Sequence, residues 1–376
     1  MQIPFNKPHF TGLEAVHVAE AVASGKISGN GMFTTRCHDF FRQRYGFGKV
    51  LLTTSCTDAL EMTGLLTGIS PGDEVIMPSF TFVSTANAFV LRGAKIVFAD
   101  SLPDNPNIDV SKLENLVTPR TRAMVVVHYA GIACDMDGVM ELAKRYNLLV
   151  IEDAAHSIDS YYKDRPLGSI GHLAAFSFHE TKNITCGEGG MLVVNDMNYA
   201  ERAEIIWEKG TNRAAFYRGE VDKYGWVDIG SSFLPSDLAA AYLTGQLDRL
   251  DDIQQKRKHI FNRYMELLAP LQRSGDLQLP VIPEYASHNG HLFYLVTRKP
   301  AQRDQLILHL ASHGIQAVFH YLPLHLSPYY SKKYDGLPLP ESERYAACLL
   351  RLPFYYDLSD QQLEIVADCV SSYYIG

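Results

Sequence analysis

Lys182 lies in a segment whose residue types and spacing could support covalent chemistry. FSFHETKNITCGEGG (176–190) places this lysine just past a predicted buried strand, beside Ser177 and His179 and before a glycine-rich stretch. A buried ammonium is costly unless it is used, and a lysine held at a cleft can have a lowered pKa and act as a Schiff-base nucleophile. An exposed loop lysine would leave the same pattern, so this segment alone keeps both interpretations open.

Two acids end a second apolar run. IEDAAHS (151–157) places Glu152 and Asp153 after a run of Leu, Val and Ile. Acids that end a buried strand often cap the next helix. The alternative is a carboxylate held beside a cofactor. Asp153 opposite a pyridine nitrogen would keep that nitrogen protonated, and a pyridinium is the electron sink that carbanion chemistry requires.

Two further predicted strand ends carry residues suited to a flat, phosphorylated ligand. In TTSCTDAL a strand is followed by Ser55, Cys56 and Thr57 and then by a helix. Backbone N–H groups and hydroxyls at a helix start form an anion site, although a plain N-cap has the same sequence. In PSFTFVSTAN, Phe82 follows a strand end, where an aromatic ring could stack on a flat ligand or belong to the core.

The elements that must position these residues alternate between strand and helix. Near-continuous apolar runs predict strands at 49–55, 74–79, 94–100, 122–131, 147–156, 174–180 and 189–196, with helices between them at 58–66, 85–92 and 136–146. Continuous apolar strands interleaved with helices favour an α/β fold with a mostly parallel sheet covered on both faces. Polar and catalytic residues should then collect at the carboxyl ends of the strands.

The pattern changes after residue 196 and predicts a second, smaller α+β domain. We expect a helix at 198–209, a loop at 210–232, one or two long helices from 235 to about 268 that stop before Pro270, strands at 291–297 and 316–323, and helices at 302–312 and 360–373. The predicted domains are 1–247, which includes an N-terminal arm, and 248–376.

Composition excludes several classes of protein. The 376 residues are 47% hydrophobic and 20% charged, which is globular rather than disordered or fibrous. A formal net charge of −8 disfavours a nucleic-acid partner, and no apolar run is long enough for a transmembrane helix. The N-terminus lacks a signal-peptide pattern, so we expect a cytosolic protein. The six cysteines form no CxxC pair and the fourteen histidines avoid tight metal spacing, so neither disulfides nor a metal site are expected.

The order of the four strand-end segments resembles a known family. SCT…PSFTFVSTAN…EDAAH…FSFHETKN…GEGG is similar to the DegT/StrS family of sugar-nucleotide aminotransferases, and the similarity extends through HYLPLH (320–325). The resemblance implies a fold-type I α/β fold with a seven-stranded sheet and a smaller C-terminal domain. It also implies pyridoxal 5′-phosphate (PLP) as cofactor and a homodimer with shared active sites.

The resemblance further implies a role for each matched position. Lys182 is the Schiff-base lysine and Asp153 the partner of the pyridine nitrogen. The other positions implied to bind the cofactor are Phe82 and His156 at the ring, and Ser55, Cys56, Thr57 and Ser177 at the phosphate.

This chain departs from the family pattern in two places. Many relatives have glycine where Cys56 stands in the phosphate turn. In IGSSFLPSDLAAA (229–241), Ser232 and Leu234 replace an Asn and an Arg, and the Asn reaches the partner subunit's phosphate in relatives. Ser232 can donate one hydrogen bond in place of that Asn, or it can be a structural residue without contact to the phosphate.

Candidate substrate contacts lie in two later segments. KGTNRAAFYR (209–218) has three cations, Lys209, Arg213 and Arg218, and no acid. These cations could meet a pyrophosphate or the carboxylate of an amino donor, or form a solvated basic loop. Further candidates for substrate contact are His179, His320, Tyr321 and His325, which could equally be structural polar groups.

The resemblance implies a specific reaction. L-Glutamate would donate its amino group to C4 of dTDP-4-dehydro-6-deoxy-D-glucose, giving dTDP-4-amino-4,6-dideoxy-D-galactose and 2-oxoglutarate for a surface glycan of the enterobacterial common antigen type. The alternatives are an aminotransferase acting at C3 or on another nucleotide sugar, and a non-catalytic regulator that binds PLP or sugar nucleotides. A related PLP-dependent dehydratase would carry His at the position of Lys182.

Overall fold

The computed structural model describes residues 2–375, and a seven-stranded sheet is its central element. The first nine strands are β1 (Lys49–Thr53), β2 (Glu74–Pro78), β3 (Lys95–Ala99), β4 (Thr121–Val127), β5 (Leu149–Asp153), β6 (Tyr161–Tyr162), β7 (Arg165–Pro166), β8 (Leu173–Ser177) and β9 (Gly190–Val194). The sheet order is β1-β9-β8-β5-β4-β2-β3, while β6 and β7 form a separate hairpin. Only β9 runs antiparallel to its neighbours, which confirms the predicted fold class.

The sheet is buried on both faces because most positions of its strands are apolar, on both sides of each strand. Along β4, Ala123 and Val125 belong to one core cluster, while Met124 and Val126 belong to another. Successive side chains of a strand point to opposite faces, so each strand contributes to both cores. This explains why the strands read as continuous apolar runs rather than alternating ones.

Twelve α-helices lie around the sheets within residues 2–375. They are α1 (Glu14–Ala23), α2 (Met32–Tyr45), α3 (Cys56–Leu66), α4 (Val83–Val90), α5 (Met136–Tyr146), α6 (Ala200–Trp207), α7 (Arg213–Tyr217), α8 (Asp237–Leu247), α9 (Leu250–Arg273), α10 (Pro300–Ser312), α11 (Pro340–Cys348) and α12 (Asp360–Ile375). Within residues 2–375, none of them is long and apolar enough to cross a membrane.

A smaller antiparallel sheet follows α9. Its strands are β10 (Leu277–Gln278), β11 (Tyr294–Thr297), β12 (Val318–Phe319) and β13 (Leu349–Arg351), in the order β10-β11-β13-β12. One face of this sheet packs against α9, α10 and α12 in a core that includes Leu295 and Leu350. The predicted boundary between 1–247 and 248–376 falls between α8 and α9 and stays a prediction.

Three local predictions are wrong. Helix α9 does not stop before Pro270 but runs on to Arg273, because Leu271 is buried in the same core as Leu268. The predicted strand at 316–323 shortens to β12, since the chain leaves the strand conformation at Tyr321, whose φ is +52°. The predicted loop at 210–232 contains the short helix α7.

Candidate active site

The predicted site residues converge at one edge of the large sheet. Ser55 follows β1 and Phe82 follows β2, while Asp153 is the last residue of β5 and Ser177 the last of β8. These four strands are parallel, so their carboxyl ends lie at the same edge. The antiparallel β9 begins there with Gly190, directly after the Lys182 segment. The expectation that the four segments share one site edge is consistent with this topology.

The Lys182 amine lies in the cleft without a partner. Its Nζ makes no hydrogen bond or ion pair with any residue between 2 and 375, and the side chain is only partly exposed. Burial lowers the pKa of Lys182 to about 8, although the nearby acidic groups of Cys56 and Asp153 act in the opposite direction. An amine with this pKa has a substantial neutral, nucleophilic fraction near neutral pH.

Glycines hold the Lys182 segment against the end of β1. The segment folds back on itself, with the N–H of Phe178 donating to Gly189 O at 2.8 Å. At Gly190, a Cβ would lie 2.3 Å from the carbonyl carbon of Ser55, which is closer than real Cβ atoms approach. The glycine therefore permits the close approach that brings Lys182 and the phosphate-turn residues into one cleft.

The two neighbouring acids have different environments. Glu152 is fully buried and its carboxylate accepts hydrogen bonds from His128 and from the backbone N–H groups of Gly168, Ile170 and Gly171. Burial alone would raise the pKa of Glu152, but these hydrogen bonds hold it below its ordinary value. Glu152 is therefore a structural residue.

The carboxylate of Asp153 can still accept further hydrogen bonds. Its Oδ2 accepts from the Thr85 hydroxyl at 2.7 Å and its Oδ1 from the N–H of Ala155 at 3.2 Å, which leaves lone pairs free on a carboxylate. Burial raises the pKa of Asp153, while the hydroxyl of Thr85 and the charge of Lys182 oppose that rise. This carboxylate, unlike that of Glu152, can bind a further hydrogen-bond donor.

His156 is a neutral ring at the base of the cleft. It stacks on His291 with ring centroids 4.1 Å apart, and its Nδ1 accepts from the N–H of Ala130 at 3.3 Å. The proton of the neutral imidazole therefore lies on Nε2, which can donate to a ligand oxygen. Burial and the nearby charge of Lys182 keep the pKa of His156 well below its ordinary value.

The start of α3 provides an anion site. The Ser55 hydroxyl caps the helix by accepting from the N–H of Asp58 at 3.0 Å, and the Thr57 and Ser84 hydroxyls lie 2.8 Å apart. Within residues 2–375, the N–H groups of Cys56 and Thr57 have no acceptor. Free N–H groups at a helix N-terminus and adjacent hydroxyls together favour a phosphate. Cys56 adopts a helical conformation without positive φ, so the missing glycine does not distort the turn.

Phe82 is not a core residue. Its side chain is 55% exposed, and its ring centroid lies 6.3 Å from that of Tyr321. An exposed aromatic ring next to a cleft is suited to stacking on a flat ligand. Ser177 is partly exposed, and its hydroxyl accepts from the N–H of His179 at 3.4 Å.

The residues of HYLPLH separate into two groups. His320 stacks on Tyr321 at 3.6 Å between ring centroids and bonds the Tyr129 hydroxyl through Nδ1 at 2.7 Å. The ring centroid of His320 lies 6.1 Å from that of His156, which places this pair near the cleft. His325 instead is buried, with its nitrogens directed at Ser79 and Glu343. These bonds make His325 a structural residue and argue against the predicted substrate contact.

The cations of the 209–218 segment also differ from one another. Arg218 forms ion pairs with Glu204 and Glu220, which compensate its charge within this chain, and its predicted substrate contact stays a prediction. Arg213 bonds the hydroxyl of Tyr217 at 2.9 Å and has no acidic partner among the described residues.

Three further candidates have side chains that bond none of the predicted cleft residues within residues 2–375. Lys209 is exposed and has no ion pair within residues 2–375. The Nδ1 of His179 lies 3.0 Å from the Thr181 hydroxyl, and Ser232 pairs with Glu208 in an isolated β-bridge. The predicted substrate and partner-phosphate contacts of these residues stay predictions.

Sequence reasoning missed several groups at this edge. Thr85, which positions Asp153, lies within the quoted PSFTFVSTAN segment and could have been found there. Tyr129 and His291 pack against the predicted histidines, but nothing in their own segments pointed to the cleft. Arg351, whose charge acts on Lys182, comes from β13, a strand that was not predicted.

The statement that the histidines avoid metal spacing is wrong for one pair. His309 and His313 are one turn apart on α10, and their ring nitrogens and the Cys369 sulfur lie within 4.8 Å of one another. Hydrogen bonds already engage both rings: His309 with Cys369 O, and His313 with His309 O.

Comparisons with protein families, with known proteins and with solved structures all find aminotransferases or polysaccharide biosynthesis proteins similar to this chain. A model of the DegT/DnrJ/EryC1/StrS aminotransferase family matches residues 10–371. The spore coat polysaccharide biosynthesis protein SpsC of Bacillus subtilis (strain 168) is 37% identical over 377 residues, covering 98% of this chain and 96% of SpsC. Among solved structures, the aminotransferase TlmJ of Streptoalloteichus hindustanus is 30% identical, with a TM-score of 0.92 and coverage of 100% of this chain and 99% of TlmJ. The PLP form of Spr1654 from Streptococcus pneumoniae is 26% identical, with a TM-score of 0.90 and coverage of 99% and 98%.

Proposed function

Because the chain belongs to the DegT/DnrJ/EryC1/StrS aminotransferase family, and is thus a PLP-dependent sugar aminotransferase, we propose a specific reaction for it. It transfers the amino group of L-glutamate to C4 of dTDP-4-dehydro-6-deoxy-D-glucose. The products are 2-oxoglutarate and dTDP-4-amino-4,6-dideoxy-D-galactose, the latter used in the cytosol for a surface glycan of the enterobacterial common antigen type. The observation that carries the transamination is the unpartnered Lys182 amine beside the Asp153 carboxylate. The sugar, the nucleotide and the donor rest on the resemblance of the sequence motifs.

The residues of the cleft fit PLP. The unpaired N–H groups at the start of α3, with the hydroxyls of Thr57 and Ser177, suit its phosphate. Asp153 has lone pairs free for a ring N–H, and Lys182 supplies a free amine. When bound, PLP supplies an electrophilic carbon that accepts the amine and a ring that stabilises negative charge.

Lys182 is the group that moves protons. Its lowered pKa of about 8 lets the amine accept a proton from the α-carbon of the donor and return it during the transfer to the sugar. The amine is free for this role, because its Nζ makes no hydrogen bond or ion pair within residues 2–375. The same Nζ therefore serves as general base and general acid in the two half-reactions.

The other cleft residues hold the ring and its charge. Asp153 would hold a proton on the ring nitrogen of bound PLP, and Thr85 fixes the carboxylate in place through its 2.7 Å bond. His156 would donate from Nε2 to an oxygen of the cofactor, because its Nδ1 already accepts from Ala130. The exposed ring of Phe82 would cover one face of the bound cofactor and exclude water from it.

A second copy of the chain completes the site in this proposal. The segment that follows α6 exposes large aromatic side chains, including Tyr217, Tyr224 and Trp226, the last of which is 85% exposed. Exposed aromatic side chains are typical of protein interfaces. This supports a homodimer in which Ser232, Lys209 and the same segment face the partner subunit's cleft.

The product of the keto-sugar reaction tests the proposed function. The purified protein is incubated with PLP, L-glutamate and dTDP-4-dehydro-6-deoxy-D-glucose, and the product is examined by mass spectrometry and NMR. We expect an amine at C4 in the axial configuration. An equatorial amine would overturn the galacto assignment, and product only from 3-keto or UDP-linked sugars would overturn the substrate. No product from any keto-sugar by a protein that still binds PLP would favour a non-catalytic regulator.

Attachment of the cofactor should depend on pH in a defined way. Only the neutral amine reacts, and the pKa of Lys182 is lowered to about 8, so its neutral fraction rises as pH increases up to that value. When protein freed of cofactor is mixed with PLP, we expect the attachment rate to rise about tenfold per pH unit below 8 and to level off above it. A rate that keeps rising to pH 10, as for an ordinary lysine, would contradict the lowered pKa.

A further inference from the structure

Strand β13 presents Arg351 to the face of the small sheet that is turned away from its core. Leu350 and Leu352, the neighbours of Arg351 along the strand, are buried in the core against α9, α10 and α12. Because side chains alternate across a strand, Arg351 lies on the opposite face. There it is paired in register with Tyr294, which packs with Tyr129 of the large-sheet edge. The arginine therefore faces the region between the small sheet and the cleft.

The guanidinium of Arg351 is held in place but its charge is not compensated. It donates to Phe319 O at 3.2 Å and lies 4.7 Å from the ring centroid of Phe5, while its buried Nε has no hydrogen-bond partner. It forms no ion pair with any acid within residues 2–375. Burial lowers the pKa of Arg351, which is the direction expected for a desolvated cation without an anion.

A second buried arginine, Arg257, has the hydrogen bonds expected of a purely structural residue and serves as a comparison. Arg257 donates through Nε to Gly290 O at 2.9 Å and through a terminal nitrogen to His291 O at 2.6 Å. Two N–H donors of Arg257, including that of Nε, are therefore satisfied by carbonyl oxygens. Arg351 has one such bond and an orphaned Nε, and an orphaned donor on a buried guanidinium calls for a further acceptor.

The uncompensated charge lies near the cleft: the guanidinium bonds Phe319 O, and the ring of the next residue, His320, lies 6.1 Å from that of His156. Arg351 lowers the pKa of Lys182, and its charge also acts on His156 and His320. A cation in this position repels the protonated amine and attracts an anion to the same part of the cleft. The ligand of Arg351 should therefore carry its negative charge next to the atom that exchanges the amine.

We propose that Arg351 binds the α-carboxylate of the amino-acid donor and thereby selects α-amino acids as donors. This inference rests on the proposed transaminase function. In such a donor the carboxylate is bonded to the carbon that bears the transferred amine, so both groups reach the cleft together. In the sugar nucleotide the diphosphate is on C1, across the ring from the reacting C4, and lies farther from Lys182. A guanidinium fork matches a carboxylate with two parallel hydrogen bonds.

The test separates the two half-reactions of the holoenzyme. Arg351→Gln is compared with wild type for cofactor conversion by L-glutamate alone, for conversion by dTDP-4-amino-4,6-dideoxy-D-galactose alone, and for 2-oxoglutarate binding by calorimetry. We expect the glutamate concentration for half-maximal rate and the 2-oxoglutarate Kd to rise at least about 30-fold, with the sugar half-reaction changed less than about threefold. Arg351→Lys should restore part of the loss, since it keeps the charge but not the fork.

A donor without an α-carboxylate gives a second readout. Wild type should prefer L-glutamate over 4-aminobutyrate, and Arg351→Gln should lose most of that preference. The control is Arg303→Gln, which removes a small-domain arginine bonded to Asp304 and Ala346 O, and should change neither half-reaction. Equal losses in both half-reactions, or a loss confined to the sugar, would overturn the proposal. If wild type reacts with glutamate but with no amino sugar, the proposed sugar substrate is refuted. The measurements with glutamate and 2-oxoglutarate still test the role of Arg351 in that case.

Discussion

A Lys182→Ala variant is expected to fold normally and to lose transamination. The alanine cannot attach the cofactor or move a proton, and loss of general acid–base catalysis alone lowers turnover by about 10²–10⁴-fold. The fold should not suffer, because the amine makes no hydrogen bond or ion pair within residues 2–375 and its burial opposes the charged form. Turnover is measured with glutamate and the keto-sugar, and stability by thermal unfolding.

Lys163→Ala provides the matched control for this variant. Lys163 is an exposed lysine that pairs with Asp137, so its removal should leave turnover unchanged. Near-normal turnover by Lys182→Ala would refute the assignment of the catalytic lysine. A Lys182→Ala protein that failed to fold would contradict our view that this amine has no structural partner.

The second large effect is expected for Asp153→Asn. A neutral amide cannot hold a proton on the ring nitrogen as a carboxylate does, so we expect turnover to fall by about 10²–10³-fold and the cofactor to dissociate more readily. The free energy of unfolding should change little, because the amide oxygen can still accept from Thr85. Cofactor retention is measured by dialysis and absorbance, and turnover with saturating PLP.

The neighbouring acid supplies the contrast for Asp153. Glu152→Gln replaces a fully bonded, buried carboxylate and leaves the backbone donors of Gly168 and Gly171 poorly satisfied. We expect this variant to lose about 3–5 kcal/mol of unfolding free energy, measured in urea. Full activity of Asp153→Asn without added cofactor would contradict the proposed role of Asp153, whatever the behaviour of the Glu152 variant.

The sequence predicted the large sheet because its strands have a strong local signal. A strand buried on both faces is apolar on both sides, as at 123–127 of β4 and 149–151 of β5. Parallel topology then places Asp153 and Ser177 at one edge without any knowledge of tertiary contacts. The central part of the candidate site was therefore predictable from the strands that carry it.

The sequence did not predict the elements whose hydrophobic pattern is weak or short. Helix α2 buries Phe33, Cys37 and Phe41 at spacings of four, but polar and charged residues between them obscure this stripe. Strand β13 has only three residues, which is too short for a hydrophobic period to reveal a strand. The sequence therefore could not assign Arg351 to a strand or to one of its faces. Its role depends on which face of a short strand meets the large sheet, and that is a property of tertiary packing.

Nor could the sequence separate bonded from free polar residues. His320 and His325 share one short motif, but the chain turns at Tyr321 and His325 enters a pocket with Ser79 and Glu343. Arg218 likewise meets Glu204, a residue on a different helix. In both cases the partner is distant along the chain or on another element, so residue type alone did not reveal that the group was already satisfied.

The attachment site of the cofactor tests the central claim most directly. The holoenzyme is reduced with borohydride, digested and mapped by mass spectrometry, with Lys182→Ala treated in parallel. We predict that the reduced cofactor is found on the peptide that contains Lys182 and on no peptide of the variant. Cofactor found on another lysine, or on no lysine of a protein that retains PLP, would contradict the account.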